Sequence, residues 1–314
     1  MVQQALNRHS QITIPPETKF FFSFLNHSRR NQLRHLDRLN RDLRISLVPP
    51  AAAIRGDQEG RAFFDEMAQQ YVAGLRPTKA VTSFGEKTPE HTGHIPRIRQ
   101  LFPDAKILVL YRDGRDVALS LSKAPWMPAD LYVCFLVWLY YQRLVMHLQQ
   151  SAMPNVYFAR YENIVVNPEK EFAGILHFLD LPYESAVPHE YGNSEGIPER
   201  EYPWKANALR KITEERVGVF RRELGRGQIE ILERLGKDTL ASFGYPLLSG
   251  GEAPLSLSFL LKLSRDIASF VYQMPLYSLL HELADRALSH CVRRFKGSLQ
   301  LFQLLRKQLP IAVR

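Results

Sequence analysis

Cysteine is scarce in this chain of 314 residues. Cys134 and Cys291 are its two cysteines, and they lie far apart in apolar segments with helical spacing. Two isolated cysteines imply no disulfide framework, which is typical of proteins in a reducing compartment. The first residues, from Met1 to Arg8, also lack the apolar run and the small-residue cleavage site of a secretory signal. We therefore expect a cytoplasmic protein.

Long apolar runs and several binding motifs are missing too. The most apolar stretch, residues 131–141, is followed at once by Gln142 and Arg143, so it is too short to cross a bilayer and predicts a buried helix. The net charge is +9, yet no zinc spacing, RNA-binding aromatic pattern or helix-turn-helix signature accompanies it, and we expect no nucleic-acid partner. A nucleotide phosphotransferase is disfavoured, because no Gly-rich loop ends in Gly-Lys-Ser or Gly-Lys-Thr.

What the chain does contain is enough apolar sequence for a large core, at 45% hydrophobic residues. Short apolar strands alternate with amphipathic helices over residues 1–247, which we predict to be one domain. This alternation indicates an α/β fold with a parallel sheet between two layers of helices. The predicted strands are 10–14, 107–111 and 156–160, and the predicted helices are 61–75, 94–102, 168–179 and 228–243.

One predicted strand ends in a turn that indicates an anion site. Ile107 to Tyr111 is a run of β-forming apolar residues, which predicts a strand buried on both faces. Arg112-Asp-Gly-Arg-Asp116 then turns the chain into a helix, and free backbone N–H groups and the positive end of the helix dipole converge at such a turn. Arg112 adds a bidentate donor there, and Ser120 adds a hydroxyl.

The spacing of eight residues from Arg112 to Ser120 resembles the element with which sulfotransferases bind the 3′-phosphate of 3′-phosphoadenosine 5′-phosphosulfate (PAPS). Lys87, in Glu86-Lys-Thr-Pro89, lies 25 residues before Arg112, which is similar to the position of that family's Lys-Thr motif. The resemblance implies a P-loop-hydrolase-like fold, PAPS as the sulfuryl donor, no metal, and Lys87 as the charge that stabilises the leaving phosphate.

Two later segments extend the resemblance to sulfotransferases. Arg160-Tyr-Glu-Asn163 is similar to a segment whose tyrosine contacts the nucleotide, which implies that role for Tyr161. Trp204-Lys205 resembles a late basic segment near the cofactor, which implies a binding role for Lys205. The resemblance implies as acceptor a hydroxyl or amine of a carbohydrate, lipid, protein or small molecule. No recognisable motif in the chain identifies which of these it is. We expect loops such as 45–60 and 184–203 to select it.

The catalytic base is open between two carboxylates. In cytosolic aryl and steroid sulfotransferases a His two residues after the motif lysine is the base, but Pro89 stands there; we expect a helix-start or surface role for His91 and His94. Glu17, in a Pro-Pro-Glu-Thr-Lys segment, resembles the base of tyrosylprotein sulfotransferases, and Glu86 resembles that of heparan-type enzymes. We favour Glu17, with Glu86 as the alternative. The other possibility for each is an ion pair with a neighbouring lysine.

A phosphate-binding loop expected of the family is absent. Sulfotransferases begin with a buried strand and a loop of the type Pro-Arg-Ser-Gly-Thr-Thr, which surrounds the 5′-phosphosulfate with backbone N–H groups. Residues 3–10 resemble the end of the helix that follows this loop. We therefore expect about 10 to 20 further residues before Met1 in a working enzyme. The alternative is a catalytically impaired, sulfotransferase-like binding or scaffold protein.

Residues 248–314 are predicted to be a helical extension. A linker containing Gly and Pro opens it, and residues 255–309 have helical apolar spacing. Residues 255–314 contain nine Lys or Arg against three Asp or Glu. This pattern fits helices packed on the catalytic domain, and it also fits an amphipathic element at a membrane surface.

Overall fold

The computed structural model describes residues 1–25, 27–75, 79–124, 127, 130–192, 195–197 and 209–273. The chain divides into two compact units, Met1–Leu263 and Ser264–Arg314. In the second unit, the description covers residues 264–273, which are helical. Most of the predicted extension, from residue 274 onward, and the predicted ligand Lys205 lie outside the described residues.

The first part of the larger unit surrounds one pair of short strands with helices. Strands β1 (Ile12–Thr13) and β2 (Ser83–Phe84) pair in parallel, with Ile12 opposite Ser83 and Thr13 opposite Phe84. The other elements, in chain order, are α1 (Val2–Leu6), a π-helix (Phe20–Phe24), α2 (Arg29–Leu43), α3 (Asp57–Leu75), a 3₁₀ helix (Pro89–His94) and α4 (Ile95–Leu101).

The second part contains a longer pair of parallel strands. Strands β3 (Ile107–Tyr111) and β4 (Val156–Arg160) pair along their whole length, from Ile107 opposite Val156 to Tyr111 opposite Arg160. The remaining helices are α5 (Gly114–Leu121), α6 (Leu131–Gln150), α7 (Tyr161–Val166), α8 (Pro168–Phe178), α9 (Ala186–His189), a 3₁₀ helix (Glu214–Arg216), α10 (Phe220–Glu223), α11 (Arg226–Ser242) and α12 (Leu257–Gln273).

The predicted parallel α/β class is confirmed, but the described strands form two separate sheets rather than one. A cavity of about 850 Å³ lies between them and is lined by residues of β2 and β3. We call it the slot. Because β3 has the slot on one side, the prediction that it is buried on both faces is wrong: Val109 is buried, whereas Leu110 is 45% exposed.

The aromatic segment Phe20–Phe24 organises the core of the first part. Phe20 and Phe24 are fully buried and stack on each other at 5.3 Å between ring centroids. Phe24 also stacks on Phe63 of α3 at 4.9 Å. Such offset ring pairs add to the burial of apolar area. The segment therefore holds α2 and α3 against the turn that precedes it.

Helix α6 is longer than predicted, because the apolar pattern continues past Gln142 to Gln150. Among the described residues it is the helix that is long and apolar enough to cross a membrane by length and composition. Its fully buried Phe135 and nearly buried Trp138 show that it packs as a core helix. Asp130 caps its start by accepting hydrogen bonds from two backbone N–H groups, at 2.8 and 3.2 Å.

Candidate functional site

The predicted site residues that the structure describes follow the carboxyl ends of the four strands. Glu17 comes after β1 and Lys87 after β2, and these two strands are parallel neighbours. Arg112 comes directly after β3 and Tyr161 directly after β4, the other parallel pair. The carboxyl ends of parallel strands are the usual position of binding sites in α/β proteins. The structure thus gathers the predicted residues into two groups, which we call the lysine half and the arginine half.

In the lysine half, Glu17 and Lys87 contact each other directly. The Nζ atom of Lys87 donates to Oε1 of Glu17, and the two side chains are 36% and 22% exposed, respectively. Lys87 also lines the slot. An ammonium group and a carboxylate are therefore both within reach of solvent at the carboxyl ends of β1 and β2.

Glu86 lies beside this pair but in a different environment. Its side chain is only 9% exposed, and its two oxygens accept hydrogen bonds from Thr18, Thr88 and His91. Burial raises the pKa of the Glu86 carboxyl, but the His91 ring and the two threonine hydroxyls outweigh burial and hold the pKa below its ordinary value. A carboxylate with these partners is poorly suited to take a proton from an acceptor.

The expectation of a surface role for His91 and His94 is wrong, since both are buried. His94 does stand at a helix start, directly before α4. Nε2 of His91 accepts the backbone N–H of Phe21 at 3.2 Å, so its Nδ1 carries the proton that is donated to Glu86 at 2.6 Å. Nothing in the sequence but its position four residues after Lys87 indicated this contact.

In the arginine half, the Arg112 guanidinium stacks over the Tyr161 ring, with 4.3 Å from Cζ to the ring centroid. One terminal nitrogen of Arg112 bonds to Asp116 at 3.3 Å and to the backbone carbonyl of Arg216. Its Nε is buried and has no hydrogen-bond partner. Burial raises the pKa of Tyr161, against the effect of Arg112, so its hydroxyl stays protonated.

The charged turn after β3 is more deeply buried than its sequence indicated. Asp116 is 2% exposed and accepts the backbone N–H groups of Gly218 and Phe220 at 2.8 and 2.9 Å. Arg115 is fully buried between Asp113 and Glu233. These residues attach the 216–220 segment and α11 to the turn. Their spacing within the turn was visible, but their distant partners were not.

Ser120 lies in the last turn of α5 and is exposed. It follows Arg112 by eight residues, on the helix that begins at the turn after β3. Among the described residues, no group of His, Cys, Asp and Glu side chains is arranged to hold a metal ion.

The fold and the site define an α/β protein with a cationic side chain at the carboxyl ends of each pair of parallel strands. Lys87 contacts Glu17 at one pair, and Arg112 contacts Tyr161 at the other. A sequence model of the sulfotransferase family matches residues 1–185, and the chain belongs to that family. Two solved structures show the same fold. A sulfotransferase domain from the curacin biosynthetic pathway has a TM-score of 0.56 at 14% identity, covering 78% of this chain and 93% of that one. The domain from the Synechococcus PCC 7002 olefin synthase has a TM-score of 0.55 at 17% identity, covering 78% and 90%.

Curated relatives match a shorter part. Protein-tyrosine sulfotransferase A of Caenorhabditis elegans is 31% identical over 147 residues, which cover 40% of this chain and 39% of that protein. A putative protein-tyrosine sulfotransferase of Caenorhabditis briggsae is 25% identical over 140 residues, covering 41% and 48%. The chain spans about half or less of the length of these relatives.

Proposed function

We propose that the protein transfers a sulfuryl group from PAPS to a hydroxyl or amine of an acceptor. The observation that carries this proposal is the pairing of Lys87 with Glu17 at one pair of strand ends, while Arg112 stacks on Tyr161 at the other. Sulfuryl transfer needs positive charge where the phosphate leaves and a base where the acceptor is deprotonated. The lysine half offers both.

The residues of the arginine half fit the nucleotide end of the donor. The buried Nε of Arg112 has no hydrogen-bond partner, and the guanidinium plane is already oriented by Tyr161. An anion at this turn would satisfy that donor, with the Ser120 hydroxyl as a second contact. When bound, the donor supplies the activated SO₃ group.

The protein's part in the transfer is electrostatic and acid–base. The Lys87 ammonium neutralises charge that develops on the leaving phosphate oxygen as its bond to sulfur breaks. The Glu17 carboxylate takes the proton of the acceptor as the new bond from oxygen or nitrogen to sulfur forms. Glu17 is favoured over Glu86 for this role, because Glu86 is nearly buried and its oxygens already accept several hydrogen bonds.

The slot supports the expectation of a further strand. Parallel strands that share a sheet lie about 4.8 Å apart, whereas β2 and β3 have a cavity of about 850 Å³ between them. We propose that an extended segment with a phosphate-binding loop fills the slot in the active enzyme. In-frame translation of the DNA upstream of Met1 tests this: a stop codon directly before Met1 contradicts it.

Calorimetric titration with 3′-phosphoadenosine 5′-phosphate tests the proposed function. It is performed on the chain of 314 residues and on a chain extended by any residues encoded upstream. We expect saturable binding that the extension strengthens, followed by transfer of labelled sulfate to one of a panel of acceptors. The relatives' names make a tyrosine-containing peptide the first acceptor to try; a sugar and a small phenol follow. Binding by neither form would favour the alternative, a catalytically impaired, sulfotransferase-like binding or scaffold protein.

A further inference from the structure

The turn that carries Glu17 has an unusual backbone. Lys19 adopts a left-handed conformation, with φ 52° and ψ 25°, although it has a side chain. It is followed directly by the π-helix Phe20–Phe24. Such conformations cost free energy and persist only where surrounding contacts hold them, often at functional sites. Something must therefore hold this turn.

Four successive backbone N–H groups at the start of the π-helix are bonded to side chains. The first N–H groups of a helix have no partner within the helix. Here the N–H of Thr18 donates to Glu86 at 3.1 Å, and that of Lys19 to the Thr88 hydroxyl at 3.1 Å. The N–H of Phe20 donates to the Thr18 hydroxyl at 3.2 Å, and that of Phe21 to His91, as described above.

Glu86 is the centre of this arrangement. The Thr18 and Thr88 hydroxyls each accept a backbone N–H and donate their own proton to Oε1 of Glu86, both at 2.7 Å. His91 in turn accepts one N–H and donates to Oε2. Each partner can serve both groups only because Glu86 is an ionised, acceptor-only side chain. On the opposite side, the Thr18 carbonyl accepts from His35 and Arg38, at 2.7 and 2.8 Å.

We infer that Glu86 is a positioning residue, which holds the turn at residues 17–19 so that Glu17 meets Lys87. Thr18, the fully buried neighbour of Glu17, is the link between the two carboxylates. We call the hydrogen bonds of Glu86 with Thr18, Thr88 and His91 the clamp. Lys87 stands between Glu86 and Thr88 in sequence, so the same short segment carries both the clamp and the cation. The inference rests on the proposed function for its catalytic meaning, whereas the clamp itself can be tested without turnover.

The test measures how fast the Lys87 amine is acetylated, by quantitative mass spectrometry of the folded chain. Glu17→Gln removes the ion pair with Lys87 directly, so the Lys87 acetylation rate in this variant is the upper limit. We expect Glu86→Gln and Thr18→Val to raise the Lys87 rate toward that limit, by roughly two- to fivefold, the range that partly exposed ion pairs provide. Thr18→Ser keeps the hydroxyl and should retain the wild-type rate.

Lys79 and Lys106 are internal references, since a general loosening of the fold would raise their rates too. If Glu86→Gln fails to fold, Thr18→Val decides, because it removes one hydroxyl at nearly constant volume. An unchanged Lys87 rate in a folded Glu86→Gln or Thr18→Val chain overturns the inference. A rise shared by all three lysines also contradicts it, since it would show a merely structural role.

Kinetics then separate this inference from the proposed function. If wild-type protein transfers sulfate, Thr18→Val should lower kcat by about tenfold to a hundredfold with little change in KM for the donor, because misplacement of a base by about 1 Å has that effect. If wild-type protein shows no turnover, the proposed function fails, while the acetylation rates still decide whether Glu86 holds the contact.

Discussion

The lysine half and the arginine half of the site are built by different means. In the lysine half both strands have two residues, and β1 is followed by a left-handed residue and a π-helix. Side chains from residues 86–91, which follow β2, hold this irregular backbone. In the arginine half, five-residue strands lead directly into α-helices, and Asp113 caps α5 with a bond of 2.9 Å. The difference indicates a division of labour. Regular strand-to-helix turns suit anion binding, whereas the irregular turn brings a carboxylate and an ammonium group together.

The largest expected effect is in the lysine half. Lys87→Ala removes the charge that we assign to the leaving phosphate, and loss of one such group lowers kcat by about 100- to 1,000-fold. Binding of 3′-phosphoadenosine 5′-phosphate should change little, because we assign that nucleotide to the arginine half. Steady-state kinetics and calorimetry measure the two effects.

Lys170→Ala, at an exposed lysine of α8, is the matched control and should behave as wild type. A loss of nucleotide affinity in Lys87→Ala as large as the loss of kcat would contradict the division between the halves.

How much the sequence could predict follows the same division. The ranges 107–111 and 156–160 were predicted with the bounds that the structure shows, because short apolar runs before Arg112 and Tyr161 encode regular strands locally. The predicted α/β class and the sulfotransferase family were confirmed.

The lysine half was less predictable, since its geometry depends on contacts between segments about 70 residues apart. Neither the left-handed Lys19 nor the buried His91 has a local signal. Glu86 stood as a candidate base by its position beside Lys87, and only its distant partner Thr18 reveals the clamp. The role of Glu17 as the base is still a prediction, and so is the role of Lys205 in binding the cofactor.

In the arginine half, Arg112→Ala should weaken binding of 3′-phosphoadenosine 5′-phosphate by roughly 30- to 100-fold. Hydrogen bonds to charged groups contribute about 1.5–3 kcal/mol, and the stacked guanidinium is already oriented on Tyr161. Arg112→Lys keeps the charge but loses the planar fork, so we expect an intermediate loss. Calorimetry measures both, with the exposed Arg143→Ala as control. Equal affinity in wild type and Arg112→Ala would show that the nucleotide does not bind at the arginine half.

A pH-dependent effect on stability is expected from His35, which bonds to the carbonyl of Thr18 beside the lysine half. Burial, with the positive charges of Arg38, Lys19 and His27, lowers the pKa of His35 from about 6.5 to about 4. Between these values the unfolded chain binds a proton that the folded chain does not, so stability falls as pH drops through the window. We expect the free energy of unfolding to fall by about 2 kcal/mol between pH 7 and 4.5. Urea unfolding at a series of pH values measures this loss.

His35→Gln should lose this dependence, because an amide can still donate to the Thr18 carbonyl but does not titrate. The Glu86 carboxyl is present in both proteins, so the loss of stability that its lowered pKa causes as pH falls cancels in the comparison. His177→Gln, at an exposed position of α8, is the control. The same slope in wild type and His35→Gln would show that another group titrates.

The smallest expected effect separates the two donors of the arginine half. Ser120→Ala should weaken binding of 3′-phosphoadenosine 5′-phosphate by less than about tenfold, since a neutral hydroxyl contributes about 0.5–1.5 kcal/mol. Ser122→Ala is the matched control, because its hydroxyl donates to the carbonyl of Leu119 at 3.0 Å within the same helical turn. Calorimetry should show no change for that control. A loss for Ser120→Ala as large as that for Arg112→Ala would move the centre of the anion site from the end of β3 into α5, whereas no loss would confine the site to Arg112.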